Sequence, residues 1–176
     1  MKKLSIIIPT YNESQSLPLL LTDLSSINNS GEIIIIDGNS TDKTEDIAFI
    51  YGVKFYKSKE KNRGLQLNLG AKNANGEWLL FLHSDSRLNP DFFSLIKSVL
   101  GKDKNSIYFF KFRINNKQIT YRFLELLVNF RSKFFKTPYG DQGLLIKKKT
   151  YIKLKGYKEI PLMEDFDFIK RIKIRN

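Results

Sequence analysis

The chain has 176 residues, 41% of them hydrophobic and 13% aromatic, which suits one packed domain and is too apolar for a disordered polymer. It has no cysteine, which excludes disulfides, thiolate metal sites and a cysteine nucleophile, and fits a reducing compartment. Lys and Arg number 30 against 18 Asp and Glu, and the net charge of +12 attracts polyanions without choosing among nucleic acid, anionic membrane and phosphorylated small molecules.

No apolar run reaches the ~18–20 residues that cross a bilayer. Met1-Lys2-Lys3-Leu4 has the look of a signal-peptide start, but the apolar run stops at Pro9 without a small-residue cleavage site, so export is not expected. From there strand and helix patterns alternate. Leu4–Ile8 is short, apolar and β-branched, the mark of a buried strand. Leu17–Ile27 reads as a helix, with Pro18 tolerable in its first turn. Ile33–Ile36 is a second buried strand. Ser40-Thr41-Asp42 offers caps for a helix that ends at Gly52, and Val53–Tyr56 is a third strand. Gly64–Asn75 reads as a helix closed by Asn75-Gly76. Trp78–Leu82 is the fourth strand, and Asn89-Pro90 starts a helix that Gly101 ends. Continuous apolar strands alternating with helices argue an α/β fold, a mainly parallel central sheet with helices on both faces.

The second half departs from this rhythm. Ser106–Ile114 is expected as a strand and Gln118–Phe135 as a helix with basic residues among its apolar ones. The Tyr139-Gly140-Asp141-Gln142-Gly143 turn leads into a short strand, Leu144–Ile146, and Met163-Glu164-Asp165 opens a last helix. The chain reads as one domain, 1–176, with a nucleotide-type half over 1–100 and an appended half over 101–176.

Ligands of open α/β sheets bind outside the carboxyl ends of the strands, and there the chain places Asn12, Glu13, Asp37 and Asp85. Neither GxxxxGK[ST] nor GxGxxG is present, so a dinucleotide site of the Rossmann type is not expected. The loop Pro9-Thr10-Tyr11-Asn12-Glu13 can still hold a base and ribose. Asp37 can accept hydrogen bonds from such a ligand or cap the helix that follows, as Ser40, Thr41 and Asp42 do. Arg63-Gly64 precedes a helix. Arg suits a diphosphate and Gly lets a ligand approach the backbone, unless the pair is merely part of a basic loop with Lys57, Lys59 and Lys61. Asp85 follows a buried strand, where an unaccompanied carboxylate is costly to desolvate, so a divalent cation (Mg²⁺ or Mn²⁺) or a basic side chain is expected beside it. His83, the sole histidine, reads better as a packed or hydrogen-bonding residue than as a ligand. Glu164 and Asp165, stabilised by a helix dipole, serve either as caps or in catalysis, and Asp167 is expected to face solvent.

Ser5-Ile6-Ile7-Ile8-Pro9-Thr10-Tyr11-Asn12-Glu13, Asp37-Gly38-Asn39-Ser40-Thr41-Asp42, Arg63-Gly64 and Asn73-Ala74-Asn75-Gly76-Glu77, in this order, resemble the signatures of the family 2 glycosyltransferases. That family has the GT-A nucleotide-diphospho-sugar transferase fold, and the resemblance covers nearly the whole chain. Leu82-His83-Ser84-Asp85-Ser86-Arg87-Leu88, with Tyr139–Gly143 and Met163-Glu164-Asp165, resembles a bacterial subgroup associated with radical-SAM or selenium-domain proteins. The resemblance implies inverting transfer of a sugar from a nucleoside-diphosphate sugar to an acceptor hydroxyl. It implies that Pro9, Thr10, Tyr11, Glu13, Asp37 and Arg63 hold the nucleotide. Asp85 would take the metal position of a DxD motif, with Mg²⁺ or Mn²⁺ as cofactor. Asp165 would match the general base, with Glu164 beside it, and Asp141 and Gln142 would lie on the acceptor side, in the half over 101–176.

Two departures accompany the match. Arg87 stands where the second carboxylate of the metal motif belongs, so metal affinity is weakened or Arg87 supplies cationic charge at the diphosphate. Chains of this kind usually continue past the last helix, whereas this one stops at Ile174-Arg175-Asn176, so the acceptor half is either truncated, naturally short or completed by a partner. These departures keep open a second reading, a catalytically impaired GT-A-like module that binds nucleotide or polyanion without turnover. No RRM or KH signature is present, so no nucleic-acid partner is expected. Gln118–Phe135 either packs on the sheet or lies on a membrane, its Phe and Leu side chains flanked by Arg122, Arg131 and Lys133. The second alternative fits a cytoplasmic location at the inner face of the membrane and a lipid-linked acceptor.

Overall fold

The computed structural model describes residues 4–25, 31–101, 107–111, 113–114, 118–134 and 142–174. The four apolar runs of the first half are parallel strands: β1 (Leu4–Thr10), β2 (Gly31–Asp37), β3 (Lys54–Lys57) and β4 (Trp78–Phe81). β1 pairs with β2 from Leu4↔Gly31 to Thr10↔Asp37, and with β4 from Leu4↔Trp78 to Ile7↔Phe81. Two antiparallel strands, β5 (Tyr108–Phe109) and β6 (Leu144–Lys147), complete a six-stranded sheet of order β3-β2-β1-β4-β6-β5. The helices are α1 (Leu17–Asp23), α2 (Thr44–Ile50), α3 (Arg63–Asn73), α4 (Phe92–Leu100), α5 (Ile119–Phe134), α6 (Lys148–Lys153) and α7 (Glu164–Ile174).

Both faces of the sheet are covered. Ile6, Ile8, Ile35 and Leu80 pack on one side with Leu20 of α1, Ala48 of α2 and Ile96 of α4. Ile7, Ile34, Ile36 and Leu79 pack on the other with Leu67 of α3, Tyr151 of α6 and Phe168 of α7. The pleat sends successive side chains to opposite faces, so a strand covered twice must be apolar throughout. Each such side chain contributes about 1.5–3 kcal/mol by leaving water.

Several boundaries differ from expectation. β1 continues through Pro9 to Thr10, because the amide hydrogen that proline lacks would point to the β4 side, where the ladder ends with Leu82 N–H donating to Ile7 O at 3.1 Å. β4 itself ends at Phe81 rather than Leu82. α4 starts at Phe92, since Asn89 is spent in a preceding turn: its carbonyl accepts from Phe92 N–H and its side chain from Asp91 N–H. Among the described residues of the strand expected over Ser106–Ile114, Tyr108–Phe109 are in a strand, and α6, directly after β6, was not foreseen.

α3 lies close against β1. A Cβ on Gly70 would stand 2.4 Å from Ile7 Cγ2, an approach only glycine permits. At the amino-terminal edge of the sheet, opposite the site below, Glu32 accepts from Ser5 Oγ (2.6 Å), Asn75 N–H (2.6 Å) and Lys54 Nζ (2.7 Å). Burial pushes the Glu32 carboxyl up from its usual 4.5, but Lys54, Ser5 and Asn75 outweigh it and hold it at about 2. The folded value lies below the unfolded one, so this stabilisation is present above the unfolded pKa and lost as pH falls towards about 2. Glu32→Gln is expected to cost about 3 kcal/mol at neutral pH and far less near the acid end, read as the shift in urea midpoint at the two pH values. An equal shift at both would show that charge is not what this network supplies.

Candidate active site

The carboxyl ends of β1 and β2 open into two loops that lock together. Asn12 and Asn39 take left-handed backbone, φ 56° and 66°, which asparagine tolerates better than most residues. Asn12 N–H donates to Ser40 Oγ (2.8 Å), Thr41 N–H to Asn12 Oδ1 (2.8 Å), Glu13 N–H to Thr44 Oγ1 (2.9 Å) and Ser14 N–H to Asp42 Oδ2 (2.9 Å). Burial would raise the Asp42 carboxyl, yet bonds from Thr44 and Ser14 prevail and lower it to about 2. The polar residues after β2 therefore fasten loop to loop as well as starting α2.

Asp37 is 1% exposed and accepts from Thr10 Oγ1 (2.9 Å), Ser40 N–H (2.8 Å) and Ser40 Oγ (2.5 Å). Most of its acceptor capacity is thus used within the loops. Behind it Gln66, buried on α3, donates its amide to Thr10 O (2.9 Å) and Ile36 O (2.8 Å), joining β1 to β2 at their ends. Sequence reading passed Gln66 over. The signal was a lone polar residue inside the buried stripe Gln66, Leu67, Gly70 and Ala71. Pro9 is half-buried beside these loops, and the Glu13 carboxylate accepts from Ser16 Oγ. At the rim, Lys61 Nζ sits 3.7 Å from the centre of the half-exposed Tyr11 ring, a cation over an aromatic face.

On the β4 side, Arg63 is the first residue of α3, whose cap Asn62 accepts from Leu65 N–H at 3.0 Å. Arg63 Nη1 lies 3.2 Å from Glu164 Oε1, and Nη2 donates to His83 Nε2. Burial lowers the His83 imidazole to about 4, helped by the Arg63 charge and opposed by Asp85 and Asp165. His83 is therefore neutral above that range and its Nε2 accepts. Among the described residues, the buried side-chain atoms without a hydrogen-bond partner are Arg63 Nε and Glu164 Oε1. Arg63, Phe81, His83, Gly143, Tyr157 and Asp165 line one cavity.

Asp165 occupies the first turn of α7, half-buried, with Phe166 N–H donating to its Oδ1 at 2.7 Å. Met163, just before the acidic pair, has φ 65°, a strained value for a long side chain and the kind of strain that gathers at functional sites. The placement of α7 is fixed from afar. Arg171 donates to Gly156 O (2.7 Å) and Leu154 O, and Asn68 of α3 donates to Tyr157 O (2.9 Å) and accepts from Tyr151 OH (2.7 Å). Asp167 pairs with Lys158 (2.6 Å) and Arg171 (2.7 Å), so it does not simply face solvent as expected.

Other expectations change as well. Asp85 is exposed, beyond the end of β4, so the desolvation argument for a bound cation does not apply to it. Arg87 grips Asp23 at the end of α1, Nε to Oδ2 at 2.7 Å and Nη2 to Oδ1 at 3.0 Å, so its fork is engaged within the protein. Among the described residues no three carboxylate or imidazole groups gather as a metal cage. Gly64 makes room for protein rather than ligand: a Cβ there would stand 2.2 Å from Lys158 O. Gln142 is buried, its carbonyl accepting from Phe110 N–H at 2.9 Å, while Asp141 lies outside the described residues.

This geometry can hold an anion at Arg63 and present a carboxylate, Asp165, across the same cavity. The profile described as glycosyl transferase family 2 matches residues 5–159. The chain belongs to that family. An uncharacterized glycosyltransferase of Haemophilus influenzae is 27% identical over 96% of this chain and 61% of its own length. The PGL/p-HBAD biosynthesis glycosyltransferase of Mycobacterium bovis is 34% identical over 58% of this chain and 43% of its own. The chain thus spans about half the length of the curated relatives it matches. Among solved structures, S. aureus TarS 1–349 superposes with TM-score 0.78 at 21% identity, covering 96% of this chain and 54% of that one, and has been solved with UDP and with UDP-GlcNAc. Glucosyl-3-phosphoglycerate synthase of Mycobacterium tuberculosis, in complex with UDP, superposes with TM-score 0.64 at 18% identity, covering 84% of this chain and 57% of that one. The fold shared with these structures is the GT-A α/β fold expected from the sequence.

Proposed function

We propose that this chain transfers a sugar from a nucleoside-diphosphate sugar to an acceptor hydroxyl with inversion. The observation that carries the reading is that Arg63, whose buried Nε has no hydrogen-bond partner, lines the same cavity as Asp165. An unsatisfied buried donor on a guanidinium calls for an anion, and a diphosphate answers it. Solved relatives of the fold carry UDP, UDP-GlcNAc, or GDP-Man with Mn²⁺, which supports a nucleotide-sugar donor.

In this reading the loops after β1 and β2, with Pro9, Thr10, Tyr11, Glu13 and Asp37, frame the nucleoside, Tyr11 offering its ring face and Asp37 holding the loops in place. Asp165 takes the proton of the acceptor hydroxyl. The freed oxygen attacks the anomeric carbon, the bond from that carbon to the diphosphate breaks, and the electron pair leaves on the nucleoside diphosphate. Arg63 stabilises the charge that gathers there. Glu164 acts by holding Arg63, and Gln142 shapes the acceptor side next to Asp141. A lone exposed carboxylate suits Mg²⁺ or Mn²⁺ when substrate phosphates complete the shell, so Asp85 would hold the ion, which supplies Lewis-acid neutralisation of the leaving group. Leu162 and Met163, 78% and 53% exposed beside the acidic pair, favour a lipid-linked acceptor at the inner face of the membrane. The Leu82–Leu88, Tyr139–Gly143 and Met163–Asp165 patterns support placement in the bacterial subgroup associated with radical-SAM or selenium-domain proteins.

Binding without turnover is the second reading, favoured by the single carboxylate at the metal position. A thermal-shift series separates the two when followed by transfer assays. Saturating UDP or GDP with Mn²⁺ is expected to add about 2.7 kcal/mol at a hundredfold excess over Kd, at roughly 2–4 °C per kcal/mol. Asp85→Asn should keep the shift given by nucleotide alone and lose the extra contribution of Mn²⁺. No shift with any nucleoside diphosphate would sink the first reading and confine the second to a polyanion, and a shift without sugar transfer would leave only the second.

A further inference from the structure

α5 leaves a row of large apolar side chains in the open. Its acidic residue, Glu125, is buried, accepting from Ile114 N–H at 2.6 Å and from Arg122 Nη1 at 2.7 Å. Its large apolar residues Ile119, Phe123, Leu126 and Phe130 are 85%, 66%, 69% and 55% exposed. These four recur at helical spacing and form one stripe along the helix. Exposure of such a stripe is costly unless something covers it.

We propose that this stripe docks on an anionic bilayer surface, with α5 lying in the plane of the interface. Charge selects this occupant. Residues 111–136 carry seven Lys and Arg against the one acidic Glu125, within a chain of net charge +12. A second copy would bring two strongly basic segments together, which like-charge repulsion opposes. An anionic leaflet offers apolar depth to Phe123 and Leu126 and negative charge to a segment rich in Lys and Arg, the pairing used by interfacial helices. Among the described residues no helix is long and apolar enough to cross a membrane, so the contact is peripheral.

Vesicle flotation of the full chain tests this without donor or acceptor, so its outcome is independent of the transfer reaction. The chain is expected to float with phosphatidylcholine vesicles that contain phosphatidylglycerol and to remain below with phosphatidylcholine alone. Phe123→Ser and Leu126→Ser are each expected to weaken binding by about tenfold, while Phe123→Leu retains it. An unchanged nucleoside-diphosphate thermal shift in the same variants shows that the fold is intact. Failure to float with anionic vesicles would overturn the proposal, as would flotation unaffected by both Ser variants. Light scattering that showed a dimer lost in the Ser variants would assign the stripe to a second copy instead.

Discussion

Asp165→Asn is expected to lower sugar transfer by about 10²–10⁴-fold, while UDP or GDP still gives its thermal shift. The amide keeps the size of the carboxylate and can still accept from Phe166 N–H at the start of α7, so the helix entry is preserved. What it loses is the capacity to take a proton from the acceptor. The split matters: loss of nucleotide binding as well would mean that Asp165 organises the donor site rather than the acceptor. Transfer at the parent rate would remove Asp165 from the chemistry altogether. Glu164→Asp is the companion test, because Glu164 is directed at Arg63 rather than opened to an acceptor.

Arg63→Met should be the most disruptive change on the donor side. It leaves the Glu164 carboxylate, whose side chain is 6% exposed, without its cation, and stranding a buried charge costs about 3 kcal/mol or more. It also removes the donor from His83 Nε2 and the guanidinium from the cavity. Adding Glu164→Gln should return much of the lost stability, since no charge is then left unpaired. It should not return nucleotide binding, because the diphosphate still lacks its partner. Urea unfolding and nucleotide thermal shifts on the two single variants and the double variant separate these effects. If the double variant regained both, Arg63 would be structural only. Were neither regained, the cost would lie in lost packing rather than stranded charge.

The donor-side architecture follows from local patterns. Leu4–Ile8, Ile33–Ile36 and Trp78–Leu82 are apolar, short and followed by polar residues, so parallel strands with loops at one edge could be read directly, though their ends fall elsewhere. Asp37, Arg63 and Asp165 fall where that reading puts them, at the strand ends or helix starts around one edge of the sheet. Partners are another matter. Arg63 was weighed between a diphosphate contact and an exposed basic loop, yet it meets Glu164 and His83, and Gly64 beside it makes way for Lys158. Arg87 was weighed as a cation at the diphosphate and instead grips Asp23.

The order of residues sets where the chain extends, coils and turns, because those preferences act over a few neighbours. It also sets which chemical groups arrive at the carboxyl edge of the sheet, since strand length and loop position fix that edge. The packed structure alone decides which of those groups are already satisfied. Asp37 is closed by Thr10 and Ser40, Arg63 keeps an open buried donor, and α5 turns its apolar side outward. Desolvation and hydrogen bonding depend on surfaces that meet across distant segments, and no local pattern of residues specifies which surfaces those are.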